Sequence, residues 1–188
     1  TEDSFGNAAL IGSKGSVQRF SDLPRRAFNG SKMKVVGDET SEADNYFVEY
    51  EAGDTAEGVW KESIAEGADS TLNAATMPWK LVRNANGTFT FSPNAWISRS
   101  VGDAISASDP SFVGKKLNDI FFHRNRLGVI ADENVIFSRS GSYFSFYPET
   151  VTTVLDTDPI DVAVSHTKVS ILRHAIPFNE TLLLFSDQ

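Results

Sequence analysis

Apolar and polar positions alternate at short range through most of the chain, most clearly between Ile120 and Pro148. Three apolar runs, Ile120–Phe122, Leu127–Ala131 and Val135–Phe137, are separated by His123–Asn125 and Asp132–Asn134. After Ser140–Ser142 come four aromatics, Tyr143, Phe144, Phe146 and Tyr147. Short runs of β-branched and aromatic residues punctuated by turn formers predict antiparallel strands joined by tight loops. The stretch reads as the framework of an all-β module. Its aromatic end reads as one more core strand in preference to a stacking platform for sugars or bases.

Elsewhere the pattern is less regular. Residues 1–21 carry Gly6, Gly12 and Gly15 with little periodicity, and predict a weakly structured lead-in. Asp22, Pro24 and Asn29-Gly30 are placed to start and end a short helix over Leu23–Phe28. Strands are predicted at Lys32–Val36, Tyr46–Tyr50 and Val59–Ser63. Beyond Pro78 a strand develops to Arg83, turns at Asn84–Gly87 and returns over Thr88–Phe91, with Phe89 and Phe91 on one face. Ser92–Pro110, with Pro93, Gly102 and Pro110, breaks the rhythm and marks a boundary or crossover, packed through Trp96 and Ile97.

Ser111–Phe121 is expected to be a short helix or an irregular approach to the regular strands. Thr150–Leu155 predicts a strand and Asp156–Pro159 a turn. Ile160–Ala175 fits two templates. Ile160, Val164, Ile171, Leu172 and Ala175 lie at helical spacings and favour a partly helical connection; Val162, Val164, Val169 and Ile171 alternate as a strand pair would. Leu182–Phe185 predicts a last strand with nothing after it to pair with. The expected fold is therefore mainly β, built of antiparallel sheets, with a smaller α/β part. The expected division is a lead-in over 1–21, a mixed α/β or β-rich domain over 22–100, and a β-rich segment over 101–188.

With 188 residues, 40% of them apolar, there is room for one domain or two small ones with a real core. No apolar run is long enough to span a bilayer as a helix. The first residues have neither the basic leader nor the apolar core of a signal peptide, and they lack an initiating Met. Together with the unpaired last strand, this predicts an internal piece of a longer chain. Cysteine is absent, which removes disulfides and thiolate chemistry. The net charge of −8 argues against broad contact with nucleic-acid backbone. Acidic residues concentrate between Asp38 and Glu66, whereas Lys115, Lys116, Arg124, Arg126 and Arg139 lie near the organising stretch. That asymmetry suits subunit contacts or steering, or simply a solvated acidic face.

Candidate chemistry is sparse. His123, His166 and His174 have no metal-ligand spacing; His123 suits hydrogen bonding at a turn, and His174 a helix end. Asp156, Asp158 and Asp161 cluster most tightly, but Pro159 interrupts any calcium loop, so helix capping and turn formation are the expected roles. Ser138–Ser142 is not a nucleophile elbow, and Gly12–Ser16 is neither a P-loop nor a dinucleotide fingerprint. No catalytic residue, metal or cofactor is expected. Guanidinium groups flanking apolar strands pair well with carboxylates, so Arg124, Arg126, Arg139 and Arg173, with Asp158 and Asp161, are the structural or interface candidates.

The run Phe121-Phe122-His123-Arg124-Asn125-Arg126-Leu127-Gly128, continuing through Asp132–Val135 to Ser138–Phe144, resembles the tail tubular protein B family, the nozzle proteins of short-tailed T7-like bacteriophages. Leu23-Pro24 with Ala27 and Gly30, Gly58–Glu62, Thr76–Pro78, Asp109–Gly114, Asp158–Asp161 and Ser170–His174 agree with it, in the family's order. The resemblance implies a structural protein of the virion tail, not an enzyme. It also implies a hexameric ring, contact with a tail adaptor protein, passage of double-stranded DNA without specific binding, and a β-propeller. The 101–188 segment would then hold incomplete propeller-type blades. The alternatives are a carbohydrate-binding or glycan-hydrolysing module of a virion surface, and a β-rich domain with an unrelated partner.

Overall fold

The computed structural model describes residues 15–37, 40–53, 58–165 and 170–187. They form two compact units, each drawn from separated stretches of chain. Strands dominate, and two short 3-10 turns, Phe20–Asp22 and Glu42–Asp44, are the helical elements among the described residues. The expected α/β part is thus β, with no α-helix described. Most of the expected lead-in, with Gly6 and Gly12, lies outside the described residues, as do Asp38 and His166.

The first unit comprises the described residues up to Ala68, with Val101–Ala107 and Thr150–Thr153. Its sheet runs in chain order: β1 (Ser16–Val17) lies parallel to β2 (Lys32–Val35), followed by antiparallel β3 (Tyr46–Ala52) and β4 (Gly58–Ser63). Alternation along β2 turns Met33 and Val35 inward and leaves Lys32 and Lys34 half-buried. Met33 and Val35 join Val48 and Leu23 in one core, against which Val17, Tyr46 and Trp60 pack.

The helix expected over Leu23–Phe28 does not form. The carbonyls it would use are taken by side chains of the sheet: Trp60 Nε1 donates to Pro24 O at 2.8 Å and Tyr50 Oη to Arg25 O at 3.4 Å. Asn29 Oδ1 accepts the Ala52 amide at 2.9 Å, tying the end of the segment to β3. Capping signals announced a helix that tertiary partners outcompete.

The second unit comprises the described residues of Asp69–Ser100, Ser108–Glu149 and Val154–Gln188. β5 (Trp79–Arg83) and β6 (Phe89–Pro93) form an isolated hairpin. β7 (Leu117–His123), β8 (Arg126–Ala131), β9 (Asn134–Phe137) and β10 (Ile160–Ala163) make an antiparallel meander in which each strand pairs with its neighbour in sequence. β11 (Ile171–Phe178) and β12 (Thr181–Asp187) form a second hairpin.

The inner strands of the meander, β8 and β9, are buried on both faces, which explains the unbroken apolar run Leu127–Ala131, whereas β10 is exposed and β7 only partly buried. Val129, Ala131 and Ile136 point to a core with Met77, Phe112 and Phe146. Ile130, Val135 and Phe121 point the other way, against Leu172 and Ala175 of β11. The β7–β8 connection is the two-residue loop Arg124-Asn125, with φ of 46° and 59°. Positive φ at both positions is what a type I′ hairpin turn requires.

Four sequence expectations fail in this region, each because hydrogen-bonding groups found other partners. The segment read as partly helical, Ile160–Ala175, contributes strands β10 and β11, the competing alternative, with 166–169 outside the described residues. β9 and the face of β7 and β8 supply the ladder and the cover that a helix would have forgone. Tyr143–Tyr147 is turn, not strand, because the Arg139 amide donates to Ser145 O at 2.8 Å and folds 139–145 back on itself. Thr150–Leu155 is likewise not a strand. The amides of Val151, Thr152 and Leu155 donate to Glu62 Oε1, Thr150 Oγ1 and Asp158 Oδ2 at 2.7, 3.2 and 2.8 Å, leaving no ladder to join. The last strand is not unpaired, since β12 pairs along its length with β11. Ser111–Phe121 begins irregularly and becomes β7 at Leu117.

Candidate functional site

The polar groups of the second unit converge where β8 leaves the tight turn and β9 ends. Arg126 opens β8 and is 8% exposed, an uncommon burial for a guanidinium. Its Nη1 donates to Ser138 O at 2.8 Å, to Thr157 O at 3.4 Å and to Asp158 O; its Nη2 donates to Asp156 O. These bonds run to backbone carbonyls, so the planar fork serves as a clamp that holds the 156–158 turn against the end of β9. Ser138, fully buried, completes the clamp: its Oγ accepts the Leu127 amide at 3.0 Å and donates to Arg139 O at 3.1 Å.

The other predicted positions surround this clamp without forming one site. Arg139 pairs with Glu149. Asp158 accepts the amides of Leu155 at 2.8 Å and Glu149 at 3.4 Å, so it closes turns and does not cap a helix. Asp161, on β10, accepts the Ser111 amide at 2.7 Å and Asn134 Nδ2 at 3.3 Å. Asp158 and Asp161 therefore face different partners. Arg124 stands exposed at the hairpin tip, 3.7 Å from Glu180. Arg173 is exposed and pairs with Asp187 at 2.6 Å. His174, on β11 and not at a helix end, has Nδ1 3.6 Å from Asp119.

One cluster carried no sequence signal. Arg99 is 5% exposed within an otherwise irregular segment. Its Nη1 donates to Asp69 O at 2.8 Å and its Nη2 meets Asp109 Oδ1 at 2.7 Å. Its guanidinium carbon lies 4.9 Å from the centre of the Tyr147 ring, whose hydroxyl donates to the same Asp109 oxygen at 2.6 Å. Burial of Tyr147 pushes its phenol well above the ordinary value, and the Asp109 hydrogen bond and charge add to the shift against the opposing Arg99. A phenol held protonated in the fold contributes stability that is complete below about pH 10 and is lost as pH climbs through the raised value. Alkaline absorbance titration is expected to show a late-ionising tyrosine that Tyr147→Phe removes. A single transition near pH 10, unchanged in the variant, would contradict this.

One surface depression, of about 280 Å³ in the second unit, is lined by Thr76, Met77, Trp79, Phe112 and Lys115 among others. Another, about 770 Å³ in the first unit, is lined by Phe20, Leu23, Arg25, Arg26 and Trp60 among others. Neither lining includes a carboxylate or an imidazole. Among the described residues no group of three or more His, Asp or Glu is placed to hold a metal, and no helix is long and apolar enough to cross a membrane. Of the four aromatics at 143–147, two are buried and two stay exposed while each meets another ring. Phe146 and Tyr147 are buried, Phe144 meets Trp96 edge-on at 5.7 Å, and Tyr143 meets Phe122 at 4.8 Å.

A family profile described as bacteriophage nozzle protein matches residues 1–188. The chain is 43% identical, over all 188 residues, to the tail tubular protein gp12 of Escherichia phage T7. It spans 23% of the length of that relative.

Proposed function

The chain belongs to the bacteriophage nozzle protein family, and on that premise we propose that it is a structural segment of the tail tube of a short-tailed phage. Its place is the virion tail, and its role is to build the wall of the channel, not to turn over a substrate. The observation that carries this reading is the use made of the polar residues. Arg126, Arg139, Asp158 and Asp161 are engaged in closing loops on a sheet whose two inner strands are buried on both faces.

The sheet topology supports propeller-type blades. β7 to β10 form a four-stranded antiparallel meander in chain order, the plan of a propeller blade, and Leu172 and Ala175 of β11 pack against its face as strands of a following blade do. Six copies would close a ring through heterologous contacts, in which one face of each copy meets a different face of the next. Exposed Arg124 and Arg173 are the charged candidates for those faces, along with contact to a tail adaptor protein. An acidic chain also suits a channel that double-stranded DNA must traverse without being held, because each phosphate neutralised adds affinity.

Mass measurement and electron microscopy of the full-length protein, alone and with its adaptor partner, test the reading. A closed ring around an open channel is expected. Protein that stays monomeric even with the adaptor would overturn it.

A further inference from the structure

The sequence holds two Asn-Gly pairs, Asn29-Gly30 and Asn86-Gly87. An asparagine followed by glycine is open to attack by its neighbour's backbone nitrogen, because glycine has no Cβ to bar the approach. Both asparagines are exposed, and both glycines have positive φ, 81° at Gly30 and 83° at Gly87. Local sequence makes the two pairs equals, and the fold sets them apart.

The Gly30 nitrogen is committed to the sheet of the first unit. It donates to Tyr50 O at 2.8 Å, the Tyr50 amide donates to Ser31 O at 2.9 Å, and Asn29 Oδ1 accepts the Ala52 amide at 2.9 Å. Tyr50 is 2% exposed and lies in β3, which is paired on both sides. Freeing the Gly30 nitrogen therefore disturbs a core strand.

The Gly87 nitrogen is held by its own turn. It donates to Asn84 O at 3.0 Å, and the Asn84 amide donates to Thr88 O at 2.8 Å. The turn is the tip of a two-stranded hairpin that is exposed along nearly all of β5 and β6. Nothing lies within 4 Å of the position a Cβ on Gly87 would take. Opening such a turn breaks local bonds alone, and it belongs to the low-stability end of a protein's motions. Asn86 Oδ1 accepts the Thr88 amide at 3.1 Å and the Thr88 hydroxyl at 2.7 Å. Those donors rest on the oxygen that gains negative charge when Cγ is attacked, so they polarise the carbonyl.

We propose that Asn86 is a self-modification site, at which the tip of the β5–β6 hairpin loses an amide and gains a carboxylate. The Gly87 nitrogen bonds to Asn86 Cγ. The proton of that nitrogen and the side-chain amide leave together as ammonia, closing a cyclic imide. Water then opens the imide at one carbonyl or the other, giving aspartate or isoaspartate. Residues 79–93 contain Lys80 and Arg83 and no acidic residue, so either product gives the hairpin its first carboxylate. Isoaspartate also lengthens the backbone of the turn by one methylene, which disturbs the bond between the Gly87 amide and Asn84 O.

The test is peptide mapping of the full-length protein held in mildly alkaline buffer, folded and in urea, with fragmentation that separates isoaspartate from aspartate. In the folded protein, loss of the Asn86 amide is expected to run on the order of tenfold ahead of that at Asn29. In urea, where neither turn survives, the two are expected to react at comparable rates. Equal rates in the folded protein, or Asn86 left intact while the urea sample reacts, would overturn the proposal. A lead for Asn86 that persists undiminished in urea overturns it as well, since neighbours in sequence and not the fold would then set the order.

Discussion

Arg126→Ala is expected to destabilise the meander by about 3 kcal/mol, seen as a fall of roughly a hundredfold in amide exchange protection along β8 and β9 of the full-length protein. The guanidinium is buried and bridges the carbonyls of Ser138, Asp156, Thr157 and Asp158. Removing it takes the guanidinium donor from the buried Ser138 carbonyl and the half-buried Asp158 carbonyl, and an unsatisfied buried group costs more than a bond contributes. It also frees the turn that leads into β10. The amides of Leu127 and Ser138, whose bonds lie beside the clamp, report the loss most directly. Arg126→Lys is expected to recover little, because one ammonium cannot span acceptors on both sides of a planar fork. Protection within threefold of the parent in the alanine variant would show that the clamp is ornamental.

Gly128→Ala is expected to cost about as much, up to about 3 kcal/mol, by overpacking. Gly128 lies opposite Phe121 in the β7–β8 ladder. A Cβ there would sit 2.2 Å from Phe121 Cζ and 2.3 Å from Cε2, so the ring must leave its place over the glycine. Phe121 cannot move freely, since it packs with Ile130, Val135 and Leu172 and meets Phe137 edge-on at 5.4 Å. A glycine inside a strand normally weakens it; here it admits a close-packed aromatic from the partner strand. The diagnostic is the double variant Gly128→Ala/Phe121→Leu. It is expected to be more stable than Gly128→Ala alone, because the smaller side chain releases the clash. Strictly additive losses would show that the two positions do not meet as described.

Local pattern carried a good deal of this structure. The runs Ile120–Phe122, Leu127–Ala131 and Val135–Phe137 became β7, β8 and β9, because a strand in a meander is specified by its own composition and by the turns beside it. The Asn84–Gly87 turn and the common face of Phe89 and Phe91 were legible for the same reason. The family, too, was legible, through short motifs spread in order along the whole chain.

What sequence alone could not decide was the partner of each hydrogen-bonding group. Leu23–Phe28 had helix signals at both ends, and Trp60 and Tyr50 claimed its carbonyls. Arg99 looked like any surface arginine until Asp109 and Tyr147, ten and forty-eight residues on, closed around it. Periodicity reports how a segment partitions between water and core, a property of the segment itself. Whether its amides, carbonyls and charges meet a ladder, a side chain or a neighbouring loop depends on groups distant in sequence, and only the assembled fold brings those within 3 Å.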